Sequence, residues 1–156
     1  MMSNKSLGKR KFEELKIGDI VKNVNKKIKK NQTINNRIFS ELTESERDML
    51  KGHWINEVIN LINESCSDIE YLVVDFTIVE DATVELNKMS FLQIWAIYVA
   101  LVLKKNLFMT GDAGTGKPRV LKFIMAYYYL IHRIKIEVTA STGRAALELK
   151  STGKSG

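Results

Sequence analysis

Proline and cysteine each occur once in these 156 residues, and histidine twice. Each scarcity excludes something. Cys66 has no second cysteine to pair with and no metal-ligand spacing around it, which rules out a disulfide scaffold and a zinc ribbon. His53 and His132 lie far apart in helical patterns and read as packing or surface residues rather than a zinc site. The N-terminus is polar and lysine-rich without an apolar core, so no secretory signal is read; an intracellular, non-secreted chain is expected. The apolar run from Ile94 to Leu103 meets Lys104 and Lys105 after ten residues. That is half of the roughly 20 a membrane span needs, and a buried helix is the better reading. With 45% apolar and 27% charged residues, the chain has the composition of an ordinary globular protein.

The positive charge is concentrated. Residues 1–32 carry ten Lys and Arg against three acids, a balance of +7, while the whole chain carries +6; the remainder is therefore −1. Lys9-Arg10-Lys11 and Lys26-Lys27-Ile28-Lys29-Lys30 form the two clusters. Such a basic arm suits contact with nucleic acid, or a nuclear-import address, or simply a solvated tail.

What is present in quantity is glycine at one place. Asn106-Leu-Phe-Met-Thr-Gly-Asp-Ala-Gly-Thr-Gly-Lys-Pro118 places an apolar triplet, Leu107 to Met109, ahead of a glycine loop, and a helical pattern begins near Arg119. Strand, glycine loop and helix form the context in which G-x-x-x-x-G-K means a phosphate-binding P-loop. Glycines allow the sharp turn that aims successive N–H groups at an anion. The following helix adds free N–H groups and the positive end of its dipole, and Lys117 adds a point charge for the β- and γ-phosphates of a nucleotide. The one proline falls where the motif calls for Ser or Thr. Pro118 has neither the hydroxyl that ligates Mg²⁺ nor an N–H for phosphate, although a helix's first turn tolerates it.

Elsewhere, Thr43-Glu-Ser-Glu46 has the form of a capping box, and Leu50, Trp54, Val58 and Ile62 fall on one stripe of a helix ending near Asn63. Trp54 at that spacing is core rather than a base-stacking residue. Asn63 to Asp68 is expected as a loop, and Ile69 to Val79, rich in β-branched and aromatic residues, as a strand followed by a polar connection. A helix over 90–103 starts at the capping residue Ser90. After the loop, Val120, Phe123, Ile124, Tyr127, Tyr128 and Ile131 give a helix with a broad apolar face. The three consecutive tyrosines cannot all face one way; core packing is favoured over base stacking. Ile134 to Thr139 alternates as a second strand, so a parallel, right-handed β-α-β unit is expected. Thr142-Gly143 turns the chain into a helical pattern over 144–150, ahead of a polar tail.

Two blocks together resemble the Pif1-like DNA helicases. Leu107-Phe-Met-Thr-Gly-Asp-Ala-Gly-Thr-Gly-Lys117 is similar to that group's Walker A segment. Thr139-Ala-Ser-Thr-Gly-Arg-Ala-Ala146 resembles its next motif, Thr-Ala-x-Thr-Gly-x-Ala-Ala. Gln93, eighteen residues before Gly111, lies near where these helicases place an adenine-reading glutamine. The resemblance covers residues 86–150 and nothing in 1–85. It implies a superfamily 1 helicase with an α/β, RecA-like P-loop domain, here a partial parallel sheet with flanking helices after a mainly helical N-terminal extension. The organisation expected is a basic arm over 1–32, a helix and strand extension over 33–85, and an incomplete RecA-like lobe over 86–156.

Carried over residue by residue, Gly111, Ala113, Gly114, Thr115, Gly116 and Lys117 would hold the triphosphate of ATP and Gln93 its adenine. Ser141, Thr142 and Gly143 would lie along the backbone of single-stranded DNA, positioning it without reading sequence. The departures limit this. Pro118 removes the Mg²⁺ ligand, the residues after Ala146 leave the family pattern, and the Walker B acids, the arginines that sense the γ-phosphate and the second lobe are not in the sequence. Phosphoryl transfer needs metal, a water-orienting group and charge stabilisation together. A truncated helicase piece without turnover is the leading expectation, and a non-enzymatic nucleic-acid binder acting through the basic arm is the second. A small P-loop kinase fits less well, because it leaves the Thr139 to Ala146 block unexplained.

Overall fold

The computed structural model describes residues 16–26, 39–67, 76–137, 139, 144 and 147. They fall into two compact units, 1–54 and 55–156, with the division running through a helix. In the first unit, α1 (16–26) buries Ile20 and Val24 while Lys16, Lys22 and Lys26 stay exposed. Helix α2 (Glu44–Ser67) opens on the expected capping box: Glu46 N–H donates to Thr43 Oγ1 at 3.2 Å and Thr43 N–H to Glu46 Oε2 at 3.0 Å. The Thr43 backbone bond also draws the Glu46 carboxyl below its ordinary range, against desolvation and with help from the Thr43 hydroxyl and Lys16. Phe39 packs edge-on against Trp54, centroids 5.7 Å apart, and its carbonyl accepts from Arg47 Nη2. Both rings are buried.

The second unit continues α2 through Val58, Ile62 and Cys66, all buried, and adds α3 (Phe76–Asn87), α4 (Phe91–Leu101) and α5 (Lys117–His132). Helix α4 is its centre. Ile94 to Val99 and Leu101 are all buried, so the helix is apolar on every side, as a helix wrapped by its neighbours must be. It packs on α5, which buries Val120, Tyr127 and Ile131. Tyr127 Oη bonds His132 Nε2 at 3.1 Å and Ser65 Oγ at 3.4 Å, giving this buried phenol its polar partners. Tyr129, by contrast, is exposed.

The expected α/β architecture is overturned: among the described residues there is no strand and no sheet, and the unit is helical. Phe76 to Val79, assigned to a strand on their β-branched and aromatic content, form the first turn of α3; residues 69–75 lie outside the described residues. The polar stretch after them is not a connection but the body of that helix. Thr83 Oγ1 back-bonds to Val79 O, Asn87 Nδ2 to Thr83 O, and Leu86 is fully buried. Position along a 3.6-residue period outweighs strand propensity, which mostly measures fit to a sheet that has to exist first.

Leu107 to Met109 run without regular structure, with Phe108 91% exposed. A three-residue strand is held by ladder partners on either side, and none of the described residues supplies one. Ile134 to Glu137 and Thr139 are likewise irregular. Here a specific competitor is visible. The N–H groups of Arg133 and Ile134 both donate to Tyr128 O, closing α5 through Arg133 in the left-handed region, so the amide that would begin the strand ends the helix. Residues 63–67, expected as a loop, continue α2, with Ser65 Oγ bonded to Leu61 O. Arg144 and Leu147 are helical and exposed.

Candidate phosphate-binding loop

Three glycines shape the loop that joins the end of α4 to α5. Gly111, Gly114 and Gly116 have φ of 150°, 82° and 79°, conformations that side-chain-bearing residues rarely adopt. Gly116 is the N-cap of α5 and Pro118 lies in its first turn, where the missing N–H costs the helix nothing. Arg119 and Val120 turn their amides back to Gly116 O. The N–H groups of Gly114, Gly116 and Lys117 donate to no acceptor among the described residues. This is the donor set an anion at a helix N-terminus uses.

Lys117 folds into the loop. Its Nζ donates to Gly111 O at 2.6 Å, Asp112 O at 2.7 Å and Thr115 Oγ1 at 3.1 Å, while Thr115 Oγ1 donates to Asp112 O at 2.9 Å. The ammonium thus spans the loop from its first glycine to its last turn. Outside lies a concavity of about 520 Å³ lined by Ala113 to Arg119 and by Lys122, a size that accommodates a nucleotide's phosphates. Arg119 donates to Glu85 Oε2 from Nη2 at 2.9 Å and Nε at 3.3 Å, which joins the loop's helix to α3. That guanidinium is the main reason the Glu85 carboxyl sits below its ordinary range; desolvation opposes it and Lys88 adds to it.

Gln93 reaches this loop from α4. Its Oε1 accepts from Ser90 N–H at 2.9 Å, completing a capping box with Ser90 Oγ, and its Nε2 donates to Thr115 O at 3.1 Å. The two demands fix which end of the amide is which, since Ser90 offers a donor and Thr115 an acceptor. Of the residues proposed from sequence, Gln93, Gly111, Ala113, Gly114, Thr115, Gly116 and Lys117 therefore come together in one place. Ser141, Thr142 and Gly143 lie outside the described residues.

Sequence reasoning missed Arg119 and Lys122, which bring two more cations to the concavity. Their signal was available: three residues apart on α5, they share a helix face just after the glycine loop. A magnesium ion finds no hydroxyl at Pro118, and the nearby Thr115 hydroxyl is engaged within the loop. The residues fit phosphate and do not fit the metal in its usual P-loop place.

Comparison with known families agrees with the loop. Residues 93–155, less than half of the chain, match the family model described as an AAA domain. This segment is P-loop NTPase-like and fits a nucleotide-binding family. The match is to that broad class and does not extend to the Pif1-like group. Neither a curated protein nor a solved structure matches the chain.

Proposed function

We propose that the loop from Gly111 to Lys117 holds the phosphates of ATP, and that the chain is a piece of a Pif1-like, single-stranded-DNA-dependent helicase that binds nucleotide without turning it over. The observation that carries this reading is the glycine loop whose Gly114, Gly116 and Lys117 amides have no acceptor among the described residues, beside the side chains of Lys117, Arg119 and Lys122. Gln93 would sit near the base, and Ser141, Thr142 and Gly143 along the DNA backbone. Pro118 is the lesion. A lost amide bond to phosphate costs about 1.5–3 kcal/mol, the usual range for a bond to a charged group, and the missing Mg²⁺ ligand adds to it.

Calorimetry of ATP binding with and without Mg²⁺ tests both halves. Wild type is expected to bind weakly and independently of Mg²⁺, Pro118→Ser to gain Mg²⁺-dependent affinity, and Lys117→Ala to lose at least about tenfold. Absence of binding by all three folded proteins would refute the cradle. Turnover by wild type, abolished in Lys117→Ala, would refute the claim of inactivity.

A second reading rests on the charge of residues 1–32. Helix α1 buries Ile20 and Val24 and leaves Lys22 and Lys26 exposed beside Asp19, while Lys16 pairs with Glu46 at 4.0 Å; Lys22 and Lys26 are placed to meet nucleic-acid phosphates. It gives the chain an intracellular, non-enzymatic role on DNA.

A further inference from the structure

The geometry points to Gln93 as a positioning residue for the phosphate loop: its amide braces the loop through the Thr115 carbonyl, so phosphate binding depends on Gln93 whichever base the nucleotide carries. This deepens the nucleotide reading and rests on it for its ligand. Both polar atoms of the side chain have partners: Oε1 takes the Ser90 N–H that starts α4, and Nε2 holds Thr115 O. An amide so placed couples the end of the most deeply buried helix to the most exposed segment of the site. Its seat is also shaped for it. A Cβ on Gly116 would collide with Gln93 Nε2, so glycine at 116 makes room for this side chain as well as supplying positive φ. Thr115 is the pivot, since its carbonyl takes the brace while its hydroxyl accepts from Lys117 and donates to Asp112. Releasing Thr115 O loosens the residue that orients the lysine. Nε2 keeps a second N–H and Oε1 a second lone pair beyond these bonds, so bracing does not by itself exclude a contact to the base, and a ligand without a base isolates the brace.

Two variants separate the roles. Gln93→Met removes the brace without adding charge. Ser90→Ala weakens the α4 cap but leaves Nε2 in place, and so reports any effect of the cap alone. Affinities for ATP, GTP and inorganic tripolyphosphate are measured for wild type and both variants. Bracing predicts that Gln93→Met weakens all three ligands by the same factor, about three- to tenfold for one exposed hydrogen bond, whereas Ser90→Ala leaves them within twofold of wild type. A loss confined to ATP, with tripolyphosphate unchanged, would overturn the inference and make Gln93 a base reader.

A third measurement needs no ligand. Gln93→Glu keeps the acceptor that caps α4 and replaces the donor facing Thr115 O. Backbone ¹⁵N relaxation is expected to show lower order parameters at Gly114, Gly116 and Lys117 in this variant. Unchanged order there would sink the brace. Failure of wild type to bind any of the three ligands, with the relaxation change present, would sink the nucleotide reading alone.

Discussion

At the scale of single residues, the loop's glycines are not equivalent, and that difference can be measured. Gly114 and Gly116 have nearly the same positive φ, yet a Cβ at Gly114 meets nothing within 4 Å whereas one at Gly116 strikes the Gln93 amide. Gly114→Ala should therefore cost only the left-handed backbone penalty, about 1–2 kcal/mol. Gly116→Ala should cost that and the displacement of Gln93 as well. Urea denaturation of the two variants gives the comparison, and equal midpoints would show that Gln93 yields freely. The residue scale is also where the sequence was most legible. The spacing of Gly111, Gly116 and Lys117 and the caps at Thr43 and Ser90 follow from local chemistry that needs no distant partner.

At the scale of elements, helices were legible and strands were not, for one physical reason. Helices α2, α4 and α5 close their hydrogen bonds within themselves, so their periodic apolar positions foretell them. The stretches around Phe108 and Ile134 carry strand composition, but a strand exists only with a neighbour, and composition does not supply one. Helix α3 shows the opposite error. Its Thr83 and Val79 favour β structure, yet their spacing from the buried Leu86 serves a helix.

Between elements, the contact of Glu85 on α3 with Arg119 on α5 predicts a pH dependence. The guanidinium lowers the folded-state carboxyl below its unfolded value, so its stabilisation is complete at neutral pH and is lost as the pH falls through that lowered value. Both side chains are substantially exposed, which keeps the effect small. Thermal melts of wild type and Glu85→Gln should differ at pH 7 and converge in acid below the ordinary glutamate range. A difference that persists unchanged to pH 3 would mean that the pair contributes through packing instead.

For the whole molecule, charge and chemistry are separated along the chain: the excess of lysine belongs to residues 1–32 and the anion-seeking loop to residues 111–117. If the basic segment binds single-stranded DNA, affinity should fall linearly with the logarithm of salt, and each neutralised phosphate contact should reduce the slope by about 0.7. Because Ile20 and Val24 are buried, deleting residues 1–32 would disturb packing. Changing Lys9, Arg10, Lys11, Lys22, Lys26, Lys27, Lys29 and Lys30 to Gln removes most of the charge while keeping Ile20 and Val24. DNA binding with an unaltered salt slope in this variant would remove the arm from consideration.

The lysine seated on the carbonyls of Gly111 and Asp112 has a kinetic consequence. A ligand meets a loop whose cation is already occupied, so the ammonium must swing free before or during capture. In stopped-flow mixing with tripolyphosphate, the observed rate should level off at high concentration, at a ceiling set by the lysine's release. A rate that climbs linearly throughout would mean that the side chain leaves its seat faster than the anion arrives.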